Sequence, residues 1–286
     1  VRKELSQYLV EIILVNDGSK DNSESVCEQI SNDTPSVKFI SLRKNFGEHN
    51  AVMCGLNYSE GDFAVIIDDD FQNPPSEIIK LVNKANEGYD VVYSRYEKKK
   101  HNLFRNIGSN INNLVANYLL NKPKDLYLSS FKLIRKEVVQ EIIKYQGPFP
   151  YIDGLILRVT NNIGAELVAH SSRQEGKSNY TLGKLISLYL NMFLNFSIKP
   201  LRLFTFIGAI SFFMGIILSI VFIIEKILYP NTSIGWTSLI IIFLTFNGIQ
   251  LLFLGLIGEY LGKSYLDQNK TPQWVIKKKL SIKNNI

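Results

Sequence analysis

From Val10 to Ser94 the chain alternates short β-branched runs with longer segments whose apolar residues recur at helical spacing, the pattern of a sheet covered by helices. Strands are expected over Val10–Val15, Val37–Leu42, Phe63–Ile67 and Val91–Ser94, and helices over Asp21–Asn32, Glu48–Ser59 and Pro75–Glu87. Asp21 suits the cap of the first helix, and Pro74-Pro75 suits the opening of the third. Beyond Tyr96 the pattern predicts an amphipathic helix over Leu103–Leu120, a strand over Phe131–Ile134 and a helix over Lys136–Tyr145 that Gly147 and Pro148 end. One more helix and a strand, Glu166–Ala169, follow, while residues 1–9 read as the end of a helix. The expectation is an α/β domain over residues 1–180, with a mostly parallel sheet and helices on both faces.

Two runs break this pattern. Leu203–Ile224 and Trp236–Gly258 are uncharged and apolar throughout, each long enough to cross a bilayer, which takes ~20 residues. The mean hydropathy of +0.03 therefore averages a soluble part and a membrane part. Leu182–Ile198 is apolar but interrupted by polar residues, which fits an amphipathic interfacial helix within residues 181–200. Two transmembrane helices within 201–262 and a basic cytoplasmic tail over 263–286 complete the expected organisation.

Charge orients these spans. The net charge of +6 is concentrated at Lys184, Lys199 and Arg202 before them and at Lys263, Lys270, Lys277, Lys278, Lys279 and Lys283 after them. By the positive-inside rule both termini face the cytoplasm and residues 225–235 form a short external loop, making a multi-pass protein of the inner or plasma membrane. Lysines beside apolar spans suit anionic lipid head groups better than nucleic acid. Cys27 and Cys54 stand at neither metal nor redox spacing, so no disulfide framework is implied.

The candidate chemistry lies where strands end. Asp68, Asp69 and Asp70 follow a strand at its carboxyl end, where open α/β sheets bind ligands. Alternation lets Asp68 and Asp70 grip one metal ion while Asp69 points elsewhere, and Gln72 shares their parity as a third oxygen ligand. The alternative is a solvated acidic turn before a helix. Asp17-Gly18-Ser19 follows the first strand, and its carboxylate suits a nucleobase edge, or only a polar turn. Arg43-Lys44-Asn45-Phe46-Gly47 suits a nucleotide clamp or a basic surface turn. Arg173, Glu175, Gly176, Lys177, Ser178 and Tyr180 offer cationic and hydroxyl donors for phosphate, or a charged loop. His49, His101 and His170 share no ligand spacing and read as structural.

Taken together, Val15–Ser23 (VNDGSKDNS), Arg43–Leu56 (RKNFGEHNAVMCGL), Glu60–Pro75 (EGDFAVIIDDDFQNPP), Ser129–Val139 (SSFKLIRKEVV) and Arg173–Leu185 (RQEGKSNYTLGKL) resemble the family 2 inverting glycosyltransferases of the GT-A fold. Within that family the likeness is to the polyprenyl-phosphate glycosyltransferases, and it extends over nearly the whole chain, both spans included. The resemblance implies a cytoplasmic domain that moves a sugar from a nucleotide-diphosphate sugar to polyprenyl (undecaprenyl) phosphate at the bilayer, in cell-surface glycan synthesis. It implies Mg²⁺ or Mn²⁺ on Asp68, Asp70 and Gln72, with Asp70 catalytic. Asp17, Ser19, Arg43, Asn45, Gly47, Asp68 and Asp69 would meet the nucleotide. Arg95, Arg173, Lys177, Ser178 and Tyr180 would meet phosphate or acceptor, Arg173 also serving catalysis. The chain departs from the family at Ser129-Ser130-Phe131, where Asp125 stands as a substitute acceptor-side group, and at the amino end, where the family's first strand would precede Val10. No nucleic acid partner is implied, and a homo-oligomer through the spans is compatible.

Three other functions share parts of this pattern. A processive polysaccharide synthase is disfavoured because no Q-x-x-R-W string occurs, Gln273-Trp274 being adjacent. A transferase acting on another lipid, such as a diacylglycerol, and a non-catalytic membrane anchor or scaffold on a decayed transferase domain are the remaining alternatives.

Overall fold

The structure, a computed structural model, describes residues 3–96, 126–171, 199–230 and 235–280. They fall in two compact units, Val1–Thr181 with Leu266–Ile286, and Leu182–Tyr265. The expected helices over 103–120 and 182–198 lie outside the described residues.

The first unit runs β1 (Ile12–Asn16), α1 (Ser23–Asp33), β2 (Val37–Leu42), α2 (Glu48–Asn57) and β3 (Phe63–Ile66). A 3₁₀ turn, Pro75–Glu77, leads into α3 (Ile78–Asn86), followed by β4 (Val91–Arg95), β5 (Lys132–Arg135), α4 (Lys136–Ile142), α5 (Ile152–Val159) and β6 (Ile163–Leu167). The second unit holds most of α6 (Lys199–Leu228) and α7 (Trp236–Gln268), and the chain then returns to the first unit as β7 (Ile276–Leu280).

The α/β class holds, but a single mostly parallel sheet does not. There are two mixed sheets, in the orders β1-β2-β7 and β3-β5-β4-β6. Parallel pairing joins β1 to β2 and β4 to β6, while β7, β3 and β4 each pair antiparallel with a neighbour. Hydrophobic periodicity marks a strand but carries no record of its direction, so four-residue β5 could not be oriented from its pattern. β6 begins three residues earlier than expected because its parallel register aligns Ile163 with Val91. Gly164 then lies under the Tyr89 ring, where a Cβ would come within 2.9 Å.

Helices do cover both faces of the second sheet. Val92, Phe131 and Leu133 share one face and pack on Ile78, Leu81, Val82 and Ala85 of α3. On the opposite face, Lys132 and Tyr93 are cross-strand partners that both reach Asp153 of α5. The first sheet packs Ile40 and Leu42 on Cys54 of α2, whose thiol burial pushes up to about 12.

Three further segments differ from expectation. Residues 3–7 form turns rather than a helix, and Leu5 is buried against the α3 cluster. The α1 cap position is Asn22, while Asp21 Oδ1 accepts the Ser23 N–H at 3.0 Å. Residues 276–280, expected as free basic tail, form an edge strand because Trp274 and Ile276 bury against β2. Lys277 pairs with Glu24 at 2.9 Å and Lys278 with Glu28, so these lysines meet α1. In the second unit one stretch among the described residues, Phe206–Glu225, is long and apolar enough to cross a membrane. Its Phe213, Ile217 and Ile223 are exposed.

Candidate functional site

The carboxyl ends of β1 and β2 lie side by side because the strands are parallel neighbours in register, Asn16 opposite Ser41. Their loops are then laced by polar contacts. Asp17 accepts the Phe46 N–H on one carboxylate oxygen and the Gly47 N–H on the other, both at 2.7 Å, while Asn45 Nδ2 donates to the Asp17 carbonyl at 3.1 Å. Asn16 Oδ1 accepts the Ser19 N–H at 3.1 Å. Gly18 lies so close to the second loop, at φ 70°, that a Cβ there would sit 2.6 Å from the Asn45 nitrogen. Arg43 is exposed and its N–H donates to Val275. Asp17, Ser19, Arg43, Asn45 and Gly47 are thus brought together, with the Asp17 carboxylate holding backbone and its remaining lone pairs open to a ligand.

The β3 triplet is arranged differently. Asp68 and Asp70 are half-buried and Asp69 is exposed, in the irregular segment that follows β3. Ser130, at the entry to β5, donates its Oγ–H to Asp68 Oδ2 at 2.6 Å. Asp70 Oδ1 accepts the Gln72 N–H at 3.1 Å, closing a tight turn. Gln72 Nε2 lies 3.5 Å from His170 Nε2 and 3.4 Å from the Ser171 carbonyl, and the Ser171 N–H returns to Gln72 O at 2.9 Å. Gln72 is thereby pinned between the ends of β3 and β6, with its Oε1 unengaged among the described residues.

This donor set fits a hard divalent cation. Two carboxylates with free oxygens and an amide carbonyl offer only oxygen, the preference of Mg²⁺ and Mn²⁺. Among the described residues no three His, Cys, Asp or Glu side chains converge as ligands, so a cation would rely on Gln72 and substrate oxygens.

Beneath the triplet lies a polar floor. Ser94 is within hydrogen-bond distance of Ser129 Oγ (2.8 Å) and Tyr96 OH (3.1 Å), and Tyr96 donates to Asn73 at 2.8 Å. The Tyr96 ring stacks on His170, centroids 4.2 Å apart. Lys132 and Asp153 form a buried ion pair, their side chains 5% and 10% exposed, and Tyr93 OH donates to the same carboxylate at 2.8 Å. Burial, then the Asp153 charge, pushes the Tyr93 phenol well above its ordinary range. Beside it, His49 of α2 meets Tyr151 edge-on at 5.1 Å, and burial holds its imidazole below the usual value. Glu48 stands in the same turn, where desolvation and then the Asp68 charge raise its carboxyl. Burial, then Asp69, raises the Cys27 thiol of α1. The triplet therefore lies within electrostatic reach of α1 and α2, beside the laced loops.

Arg95 is exposed at the end of β4. Asp125, Arg173, Lys177, Ser178 and Tyr180 lie outside the described residues. The contributions of Ser130, His170, Lys132 and Asp153 were not assigned from sequence. Only Ser130 carried a signal, as a hydroxyl where the family pattern was departed from; the others depend on contacts between segments 21 to 98 residues apart.

Comparison with known proteins shows the family. Residues 1–143 match the family described as glycosyl transferase family 2. An uncharacterized glycosyltransferase of Bacillus subtilis, YkcC, is 32% identical over 96% of this chain and 85% of its own length. The undecaprenyl-phosphate 4-deoxy-4-formamido-L-arabinose transferase of Proteus mirabilis is 32% identical over 98% of this chain and 87% of its own. The Serratia proteamaculans protein of the same name is 33% identical over 96% and 85%. Among solved structures, a Mycobacterium tuberculosis glucosyl-3-phosphoglycerate synthase in complex with Mn²⁺, UDP-glucose and phosphoglyceric acid aligns at TM-score 0.48 and 18% identity, covering 68% of this chain and 72% of that one.

Proposed function

Since the chain belongs to glycosyl transferase family 2, we propose that it moves a sugar from a nucleotide-diphosphate sugar to a polyprenyl phosphate, with inversion, at the membrane surface. The observation that carries this function is the pair of half-buried carboxylates, Asp68 and Asp70, with unshared oxygens beside the pinned Gln72. The relatives' names support the acceptor class.

In this reaction a phosphate oxygen of the lipid attacks the anomeric carbon in line, and the bond from that carbon to the nucleoside diphosphate breaks. A divalent cation held by Asp68, Asp70 and Gln72 would offset the charge gathering on the departing diphosphate. Ser130 holds Asp68 in the orientation this needs, and the Asp70 to Gln72 turn holds Asp70. The loops laced by Asp17 supply backbone and Asn45 polar groups for the nucleoside. Arg173 and Ser178 are proposed to align acceptor phosphate, with Arg95, Lys177 and Tyr180 around them. A phosphate monoester has its second pKa near ~6, so the acceptor is already an anion at neutral pH and no strong general base is required. α6 and α7 are proposed to span the bilayer twice, with the transferase unit on the cytoplasmic face.

The test is direct. Membranes containing the full chain are incubated with a panel of nucleotide sugars and undecaprenyl phosphate, and the lipid fraction is weighed by mass spectrometry. A lipid-linked monosaccharide is expected with one donor. Transfer to diacylglycerol instead, or to neither lipid with any donor, would overturn the proposal.

A further inference from the structure

Among the described residues two non-glycine positions have positive φ, Phe71 at 57° and Lys270 at 52°. Lys270 ends a helix in the left-handed turn that helices commonly adopt, its N–H returning to the Asp267 carbonyl at 3.0 Å. Phe71 ends nothing. It lies between Asp70 and Gln72 in a turn closed from one side by Asp70 Oδ1 and from the other by the Ser171 to Gln72 backbone bond. For a side chain with a Cβ this conformation is strained, and glycine would adopt it freely.

The ring buries little of itself within the described fold. Phe71 is 75% exposed, a bare aromatic surface directly beside carboxylates proposed to bind a metal diphosphate. Strain that the surrounding bonds enforce, spent on presenting an apolar ring to solvent at a reaction site, points to a ligand with an apolar part.

Of the two substrates, the acceptor has that chemistry. It joins an anionic phosphate directly to hydrocarbon, whereas the donor offers only the ring faces of its base and sugar between polar groups. The position agrees. The Phe71 turn is tied to His170 and Ser171, on the side of the triplet where β6 ends. On that same side Tyr96 stacks on His170, and Tyr127, 49% exposed, meets Tyr96 edge-on at 6.2 Å.

We propose that Phe71 is an acceptor-specificity residue whose ring packs against the first isoprene units of the polyprenyl phosphate, next to the attacking phosphate. The assignment rests on the transfer reaction proposed above. It makes the strained turn a device that holds metal ligand and lipid contact one residue apart.

Phe71→Ala, Phe71→Leu and Phe71→Gly are compared with the unsubstituted full chain in detergent and in vesicles. Phe71→Ala is expected to raise KM for undecaprenyl phosphate by about tenfold, the ratio for losing one well-buried apolar contact, with KM for the nucleotide sugar unchanged. Phe71→Leu should restore most of the loss. Phe71→Gly should match Phe71→Ala in KM while melting no lower, since it relieves the backbone. A rise in donor KM instead would mean base or sugar stacking, and an effect confined to vesicles would mean bilayer anchoring. Either outcome overturns the assignment, as does an unmoved acceptor KM. Should the unsubstituted chain transfer nothing, the transfer reaction itself fails. The Phe71 contact is then decided by whether undecaprenyl phosphate raises the melting temperature of the unsubstituted chain more than that of Phe71→Gly.

Discussion

Asp17 and Asp70 occupy equivalent places, each just beyond the carboxyl end of a strand, yet the structure employs them in opposite ways. Asp17 uses both oxygens on backbone N–H groups at 2.7 Å, which ties two loops together without any ligand. Asp70 uses one oxygen on Gln72, and Asp68 one on Ser130, so each keeps an oxygen for something the protein does not contain. The difference teaches how one residue type can build a scaffold or a binding site. What decides is how many backbone donors the tertiary fold brings to the carboxylate. The buried Lys132–Asp153 pair belongs with the scaffold, since its charges are already spent on each other and on Tyr93.

Substitutions can break this contrast, beginning with the strongest. Removing the charge of Lys132 with Lys132→Met leaves Asp153 buried and unpaired, a loss of about 3–5 kcal/mol visible as a large fall in melting temperature. Asp70→Asn should lower sugar transfer by on the order of 10²–10³, the scale of losing transition-state charge stabilisation, with the melting temperature nearly unchanged. Asp17→Ala should do the reverse, destabilising by about 2–3 kcal/mol through two lost charge-assisted bonds, with activity falling as the loops loosen. If Asp17→Ala left the melting temperature alone and Asp70→Asn lowered it, the contrast would be inverted. Gly18→Ala should cost at least the about 1–2 kcal/mol of its positive φ, because a Cβ there also meets the second loop.

The mildest effect concerns pH. His49 has its pKa lowered in the fold by burial, so below its ordinary value of 6.5 the unfolded chain binds a proton more readily than the folded one. Its contribution is fully present above that pH and is lost as pH falls through it, by less than about 1.4 kcal/mol per pH unit. His49→Gln should flatten the fall in melting temperature between pH 7.5 and pH 5.5.

Much of this was written in the chain. The β2 strand lies where its alternation predicts, Val37–Leu42, and every other expected strand exists with an end displaced by one to three residues. The clustering of Asp68, Asp70 and Gln72 along the chain was legible, but strand parity could not place them, since β3 ends at Ile66 and the left-handed Phe71 precedes Gln72. The lacing of Asp17 was not legible, since its partners are 29 and 30 residues away. Nor was the return of residues 276–280 to the first sheet, across 234 or more residues from β2, because a run of lysines looks the same in a tail and on a paired edge.

By itself the sequence located β1 to β6 to within three residues and the helices between them, marked two runs as apolar enough for a membrane, of which Phe206–Glu225 meets that test among the described residues, and put three carboxylates just after a strand. Those properties depend on neighbours along the chain. Tertiary structure alone decided strand direction, the division into two sheets, the Lys132–Asp153 pair and the left-handed turn that turns Phe71 outward. Each of these depends on which distant backbone groups come within hydrogen-bond distance, and periodicity carries no information about that.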